Sequence, residues 1–274
     1  MAPTPAATAS SPGLAAKAWW HRADANAQSF ATVRDDVIDA LEPDARAQLA
    51  SVWQKRAGLE LQVGIGFAAI AGGLVEEGVI QPVIELVTGA VRDEVRHAEI
   101  SASLAARYRG DETIDWPEPV KTMIPAFAPA TGRFRSTLRV IAQCCINETL
   151  ACAVLEACVA QGKSPLVRAG QQSILSDEID HARAGWAHIS SPFVSADDKR
   201  ALGPWLRRLL AGKLDALLDE AAPLPGEAYP DHGMLSRETF DEVIHSALND
   251  VVFPGFDAAG IDTTDARAWA KEKS

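Results

Sequence analysis

VTGAVRDEVRHAEIS, residues 87–101, is the stretch of the chain that decides the predicted fold. Read with the period of an α-helix, it places Glu94 and His97 on one stripe of otherwise apolar or small residues. The other members of that stripe are Val87, Ala90, Val91, Ala98 and Ser101. A carboxylate and an imidazole on an inward face need partners, because an unpaired buried charge is costly. The stretch therefore predicts a core helix that carries a polar site.

The same pattern occurs a second time in ILSDEIDHARAG, residues 174–185. Glu178 and His181 again share a helical face with small and apolar residues, and Asp-Glu-x-x-His-Ala is common to both copies. Two further glutamates, Glu60 and Glu148, each lie on the inward face of the predicted helix that precedes a copy. The chain thus contains one unit twice: a helix with an inward glutamate, followed by a helix with Asp-Glu-x-x-His.

Four glutamates and two histidines suit a pair of neighbouring divalent metal ions. Four carboxylates balance the charge of two such ions, and two neutral imidazoles complete the coordination. Without metal, four buried carboxylates would repel one another and take up protons, so packing alone does not account for them. The candidate ligands are Glu60, Glu94, His97, Glu148, Glu178 and His181. The sequence therefore predicts a di-iron or di-manganese carboxylate site within a helical bundle.

A third match to the same string, DEVIH at residues 241–245, is a control within the chain. Its helical pattern places apolar residues, Phe240 and Ile244 among them, on one face. Glu242 and His245 fall on the other face with polar neighbours. We therefore expect this copy on the protein surface and not at a metal site.

Composition favours a protein built of helices. The 274 residues are 47% hydrophobic but only 6% aromatic, and alanine and leucine recur through long windows with few strand-like runs of valine, isoleucine and threonine. The predicted fold class is all-α, with four long helices in a bundle and additional N- and C-terminal helices.

The chain divides into four predicted segments. Residues 1–14 form a tail rich in alanine, proline, serine and threonine that is expected to be disordered. Residues 15–43 form short lead-in helices, and residues 44–191 form the four-helix bundle. Residues 192–274 add accessory helices to the same domain, which are candidates for an end cap or a homodimer interface.

Charge and cysteine usage restrict the classes of partner and compartment. A net charge of −11 disfavours a nucleic acid or an anionic membrane as partner. The four cysteines lie in one predicted helix without the spread of a disulfide framework, which indicates small apolar residues in a reducing compartment. The first dozen residues lack the features of a signal peptide, and no long uninterrupted apolar span follows. These observations predict a soluble cytoplasmic protein.

The double motif resembles that of the ferritin-like di-iron carboxylate oxygenases and oxidases. The similarity covers about residues 44–191. It implies a ferritin-like four-helix bundle with two iron ions, and a mixed manganese–iron pair is the alternative. It also implies that Asp93 and Asp177 each accept a hydrogen bond from the ligand histidine of the opposite helix, with Arg96 paired to one of them.

Two departures from members of this superfamily narrow the expected function. Ser101 stands where ribonucleotide reductase small subunits carry a radical tyrosine, so storage of a tyrosyl radical is not expected. Ala151 and Cys152 stand where the hydroxylases and desaturases place a threonine. The proton-delivery device of those enzymes is therefore missing or replaced.

These observations predict an O2-dependent non-haem di-iron oxidase or oxygenase that acts on a small organic substrate. An external donor would supply electrons, because the chain contains no flavin, nicotinamide or iron–sulfur motif. The residues assigned to the substrate pocket are Gly64, Phe67, Cys144 and Cys152. The alternative is a ferritin-like metal-handling or peroxide-scavenging protein without an organic substrate.

Overall fold

Helices account for the regular structure in the computed structural model. The structure describes residues 30, 33–111, 113–118, 121, 124–221 and 229–273, and eight helices lie within these ranges. No β-strand occurs in the described residues, where one isolated bridge joins Tyr229 and Met234. The prediction of an all-α protein is confirmed. The predicted tail, residues 1–14, and most of the predicted lead-in segment lie outside the described residues.

Four long helices follow a short first helix. The helices are α1 (Asp36–Asp39), α2 (Pro43–Glu76), α3 (Gln81–Arg109), α4 (Gly132–Gln161), α5 (Pro165–Ser190), α6 (Ala196–Ala221), α7 (237–258) and α8 (Thr264–Lys273). Helix α7 consists of Arg237–Ala247, a π-helical turn at Leu248–Val252 and Phe253–Ala258.

Local signals in the sequence set the ends of the long helices. Gly110 ends α3 in the left-handed conformation, with φ of 80°, which glycine adopts without strain. Ser164 caps α5 by accepting a hydrogen bond from the Val167 amide, and Pro165 occupies the first turn. These ends place both Asp-Glu-x-x-His copies well inside long helices.

The four long helices pack as two hairpins around a common core. Helix α3 packs along α2, α5 packs along both α3 and α4, and α2 also contacts the first part of α4. One apolar cluster lies toward one end of the bundle and includes Trp53, Ile100, Leu104, Leu155 and Ile174. A second lies toward the other end and includes Phe67, Val87, Val140, Cys144 and Ala184. On every long helix the predicted metal ligands fall between these two clusters.

A third apolar cluster joins the C-terminal helices to α4. Leu206 and Leu210 of α6 and Phe253 of α7 pack there with Ile141 and Cys145 of α4. The cysteines of α4 are all free, and three of the four are buried. The interpretation of these cysteines as unpaired helix residues is confirmed.

Helices α2 and α4 are each long and apolar enough to cross a membrane by length and composition alone. This finding departs from the expectation that no long apolar span is present. Core helices of soluble proteins pass the same test, and 67% of the apolar window of α4 is buried inside the protein. Both helices also carry a buried glutamate, Glu60 or Glu148. The finding is therefore weak evidence for a membrane segment.

Candidate metal centre

Three helices bring four ionisable side chains together in the middle of the bundle. One ligand atom each from Glu60 on α2, Glu94 and His97 on α3, and Glu178 on α5 lie within 4.8 Å of one another. All six residues predicted as ligands are buried: Glu60, Glu94, His97, Glu148, Glu178 and His181. The inward faces read from the helical period are therefore confirmed.

Both histidines direct Nδ1 toward the same two carboxylates. Nδ1 of His97 lies 3.4 Å from an oxygen of Glu94 and 3.4 Å from an oxygen of Glu178. Nδ1 of His181 lies 2.9 Å from Glu178 and 3.3 Å from Glu94. Glu94 and Glu178 thus lie between the two imidazole rings.

Several atoms that could bind a metal ion are buried at this centre without a hydrogen-bond partner. Both oxygens of Glu94 and Nδ1 of His97 have no hydrogen-bond partner within the described part of the chain. A buried carboxylate with neither oxygen satisfied is unfavourable, and a bound cation removes the penalty. Carboxylate and imidazole ligands are accepted by iron and manganese. The residues present therefore could hold a metal ion.

Asp177 orients His97 from the neighbouring helix. Oδ2 of Asp177 lies 2.9 Å from Nε2 of His97. Arg96 forms an ion pair with the same carboxylate and donates a hydrogen bond of 2.8 Å to Oγ of Ser173. An aspartate at Nε2 favours the tautomer with the proton on Nε2, which leaves Nδ1 for a metal.

Asp93 lies at the other histidine, but at a longer distance. Oδ2 of Asp93 is 3.7 Å from Nε2 of His181, which exceeds hydrogen-bond length. Arg92 is the ion-pair partner of Asp93, at 3.0 Å. Each aspartate therefore faces the histidine of the opposite helix, as the resemblance implies, but the two outer shells are not equivalent.

Neighbouring side-chain amides bind both carboxylate oxygens of Glu148. Nε2 of Gln143 donates to Oε1 of Glu148 at 2.5 Å, and Nδ2 of Asn147 donates to Oε2 at 3.3 Å. Nζ of Lys213, on α6, donates to Oε1 of Gln143 at 3.0 Å. Glu148 does not belong to the group of four that converges within 4.8 Å.

A π-helical stretch explains how Gln143 reaches Glu148. Residues Ile141–Glu148 of α4 are π-helical, and the two side chains are five residues apart. Residues at that spacing point in clearly different directions on an α-helix, but the wider i→i+5 turn of a π-helix brings them together. Gly185 of α5 approaches this stretch so closely that a Cβ added there would lie 2.6 Å from Cβ of Cys144.

Burial makes two of the glutamates weak acids. Desolvation raises the pKa of Glu60 to about 8, and the negative charge of Glu94 contributes to the same shift. Desolvation also raises the pKa of Glu148 well above its ordinary value, with further contributions from Glu178 and Glu94. Both groups therefore hold a proton near neutral pH when no metal is bound.

The two histidines are the positively charged groups of the metal-free centre. Burial acts to lower the pKa of His97, but the nearby carboxylates of Glu178 and Glu94 outweigh it and raise the pKa to about 10. Burial likewise opposes a rise at His181, yet Asp93, Glu178 and Glu94 raise its pKa to about 12. The same two rings hold the pKa of Glu178 below its ordinary value, although burial acts to raise it. Protons thus occupy the centre where cations would bind.

A cavity of about 580 Å³ lies beside the centre, between α2 and α4. Glu60, Glu148 and Glu178 line it, so the cavity reaches three of the predicted ligands. Its apolar walls include Val52, Val63, Ile70, Ala142, Ala151, Val154, Leu155, Ile174, Met234 and Phe240. The volume falls in the range of pockets that bind small organic molecules.

None of the four residues predicted to form the substrate pocket is among those that line this cavity. Phe67 packs against the ring of His181 with centroids 5.1 Å apart, and Gly64 faces Cβ of Glu94. Cys144 is buried against Gly185, and Cys152 is half-buried. Gly64 and Cys144 lie at close contacts between neighbouring helices. The assignment of these four residues to a substrate pocket stays a prediction.

The third Asp-Glu-x-x-His copy lies on the surface. Glu242 and His245 are exposed, while Phe240 and Ile244 on the other face of α7 are buried. The prediction that this copy lies on the protein surface is confirmed.

Several residues at the centre were not found from sequence. Arg56 lies 3.6 Å from Glu60 and precedes it by one helical turn, so the same-face spacing was an available signal. Gln143 is reached only through the π-helical stretch, and Lys213 comes from a helix outside the repeated unit. A search of the sequence for residues repeating every 3.6 positions therefore does not find Gln143 or Lys213.

No protein-family model matches the chain, and no curated protein or solved structure matches it significantly.

Proposed function

We propose that this protein is an O2-dependent non-haem di-iron oxidase or oxygenase that acts on a small organic substrate, built on a ferritin-like four-helix bundle. The observation that carries the proposal is Glu94, buried with both carboxylate oxygens unpartnered between two imidazoles. No described basic side chain other than these histidines forms an ion pair with Glu94. Two divalent cations balance the four carboxylates and satisfy these atoms.

Each residue of the centre has a distinct part in this proposal. Glu60, Glu94, Glu148 and Glu178 would hold the two ions through their carboxylates. His97 and His181 would complete the coordination through Nδ1. Iron bound there would supply the redox chemistry of O2 reduction and substrate oxidation, and a manganese–iron pair is the alternative. An external donor would supply the electrons.

The surrounding protein positions the ligands and controls the protons. Asp177 accepts from Nε2 of His97 and fixes the ring orientation, while Arg96 forms an ion pair with Asp177. Gln143 and Asn147 hold Glu148, and release of their hydrogen bonds would free its carboxylate for an ion. The apolar side chains of the cavity wall would contact the body of the substrate.

The cavity favours an organic substrate over the alternative of a metal-handling or peroxide-scavenging protein. Peroxide and iron ions are small and need no apolar space of about 580 Å³ beside the ligands. A pocket of that size with apolar walls suits an organic molecule that must lie close to the centre.

Metal content and O2 consumption test the proposal. Glu60→Ala and His181→Ala should lose bound metal and O2 consumption together, whereas Glu242→Ala, at the exposed third copy, should retain both. Undiminished iron in both buried-site variants would refute the assignment. Rapid iron oxidation that no organic compound alters would instead favour the metal-handling alternative.

A further inference from the structure

We propose that two copies of this chain pair through the outer face of the α2–α3 hairpin, with α2 of one copy antiparallel to α2 of the other. The hairpin face consists of the outward side chains within residues 61–75 of α2 and within residues 80–95 of the adjoining turn and α3. This inference goes beyond the proposed function and does not depend on bound metal.

The hairpin face is both apolar and exposed. Of the apolar window of α2, 28% is buried, against 67% for that of α4. Ile65 and Val75 on α2 are 39% and 59% exposed. Ile80, just before α3, and Val95 on α3 are 45% and 47% exposed. Residues 61–75 contain no charged side chain. A soluble protein rarely exposes a continuous apolar patch unless the patch binds something.

The α2 part of the hairpin face is complementary to itself about its midpoint. Ile65 and Gly72 are about two helical turns apart, so they lie on one stripe of α2. A Cβ added to Gly72 would have no atom of the described chain within 4 Å, so no contact within one copy requires glycine there. Glycine inside a helix is destabilising relative to alanine. An antiparallel second copy, related by a two-fold axis between Ala68 and Ala69, would place its Ile65 over Gly72.

The rim of the face on α3 fits the same two-fold axis. Gly64 of α2 packs against Glu94 of α3, so the midpoint of the α2 stripe lies level with the part of α3 between Glu85 and Arg92. Both side chains are exposed. The axis therefore brings Arg92 of one copy near Glu85 of the other, while Arg92 keeps its ion pair with Asp93. Two chains of net charge −11 can thus approach here without like charges in contact.

The composition of the face favours a second copy over a membrane surface. Helices that lie on membranes carry lysine or arginine beside the apolar face, and aromatic side chains at the interface. The exposed residues of α2 within 61–75 include none of these types. Ala68, Ala69 and Gly72 at the middle of the face instead permit the close approach of another helix.

The area of the face suits a dimer that dissociates at low concentration. The two helical segments are about 23 Å long, and two adjacent helices are about 20 Å wide. The flat footprint is therefore on the order of 450 Å² per copy and 900 Å² per pair, and the accessible surface of ridged helices is larger. Stable interfaces begin at about 1,000 Å² in total, so we expect dissociation in the micromolar range.

Sedimentation equilibrium of the whole chain over a range of concentrations tests this inference. Ile65→Lys should raise the dissociation constant of the dimer at least about 30-fold, because it places a charge in the desolvated middle of the interface. Gly72→Leu should raise it at least about tenfold by filling the space for Ile65 of the second copy, while leucine favours the helix. Ile179→Lys makes the same change at an isoleucine of α5 that is 45% exposed, and should leave the constant unchanged.

A cysteine at the two-fold axis tests the antiparallel arrangement. Ala68→Cys should form a covalent dimer on mild oxidation, because the two copies of this residue lie beside the axis. Ile179→Cys, on α5, should form none under the same conditions.

A chain that stays monomeric at all concentrations would overturn the inference. So would a dimer that both Ile65→Lys and Gly72→Leu leave intact, or one in which Ala68→Cys gives no cross-link. Circular dichroism identifies a variant that fails to fold, and the other variants then decide. Binding of the unaltered protein to phosphatidylcholine vesicles, lost in Ile65→Lys, would assign the face to a membrane and also overturn the inference. The measurements need no metal, so their outcome is independent of the proposed function.

Discussion

The chain carries Asp-Glu-x-x-His three times, and the copies on α3 and α5 differ from the copy on α7 in everything except the string. In the first two copies the glutamate and histidine are buried and face each other across the bundle. In the third copy, residues 241–245, both side chains are exposed on an amphipathic helix. The comparison shows that the motif can contribute metal ligands only when its glutamate and histidine lie on a buried helix face.

The two buried copies also differ from each other. The aspartate of the second copy, Asp177, hydrogen-bonds His97 at 2.9 Å, whereas Asp93 of the first copy lies 3.7 Å from His181. Glu60 has Arg56 as its nearest cation, whereas Glu148 is bound by amides. The site is therefore a pair of similar halves with different surroundings, so equivalent mutations should have unequal effects.

The largest effect is expected from removal of the central glutamate. Glu94→Ala should abolish stoichiometric metal binding, because Glu94 contacts the rings of both His97 and His181. Glu242→Ala changes the same motif position on the surface and should leave metal content unchanged. Elemental analysis of both purified variants checks this, and an equal loss of metal in the two would break the distinction between buried and exposed copies.

Metal binding should depend steeply on pH. The folded, metal-free centre holds protons on Glu60 (pKa about 8), His97 (about 10) and His181 (about 12), and on Glu148, whose pKa is raised well above its ordinary value. Because metal displaces these protons, affinity rises with pH and falls as pH is lowered from 7. We expect about two protons released per ion, so that affinity per ion falls about a hundredfold for each pH unit.

Calorimetry in buffers of different ionisation enthalpy counts the released protons. A variant with Glu242→Ala and His245→Ala, which alters the surface copy alone, should release the same number. Metal binding without proton release would contradict the electrostatic description of the buried centre.

Replacement of the aspartate in each of the three copies should weaken metal binding most where the aspartate lies closest to a buried histidine. Asp177→Asn should weaken metal binding by about 10- to 100-fold, because it removes the carboxylate that orients His97. Asp93→Asn should have a smaller effect, since its distance to His181 is 3.7 Å. Asp241→Asn, in the exposed copy, should have none. Competition with a metal chelator gives the three metal affinities. A larger loss of affinity in Asp93→Asn than in Asp177→Asn would contradict the proposed difference between the two buried copies.

The smallest expected effect is on stability, at the residue four positions after the histidine of the second and third copies. Gly185→Ala should lower the free energy of unfolding by about 1–3 kcal/mol, because the added Cβ would meet Cys144 and the Cys145 backbone. Asn249→Ala, the matching change on α7, should alter it by less than about 1 kcal/mol. Urea denaturation of the metal-free proteins measures both, and an unaffected Gly185→Ala protein would show that α4 and α5 can separate at low cost.

Much of the architecture was predictable because helix patterns are local. Gly110, Ser164 and Pro165 set helix ends that the sequence displays directly, and the inward positions of the six ligands follow from a 3.6-residue period. The surface position of the third copy follows from the same period. These features need no knowledge of how helices pack against each other.

The remainder depends on contacts between distant parts of the chain. The π-helical stretch Ile141–Glu148 breaks the period that the prediction used, so the hydrogen bond from Gln143 to Glu148 could not be read from spacing. The cavity is bounded by α2, α4, Lys213 and Met234, which only the tertiary fold brings together. For the same reason the residues that line this cavity could not be listed from the sequence, and the four residues assigned to the pocket are not among them.

The central claim is that the buried copies, with Glu60 and Glu148, hold a dinuclear centre. Anaerobic reconstitution with ferrous iron, followed by removal of loosely bound metal and measurement of iron per chain, tests it most directly. We predict about two ions per chain in the unaltered protein and in the variant with Glu242→Ala and His245→Ala. Iron well below one ion per chain, or two ions per chain that persist in Glu94→Ala, would contradict the claim.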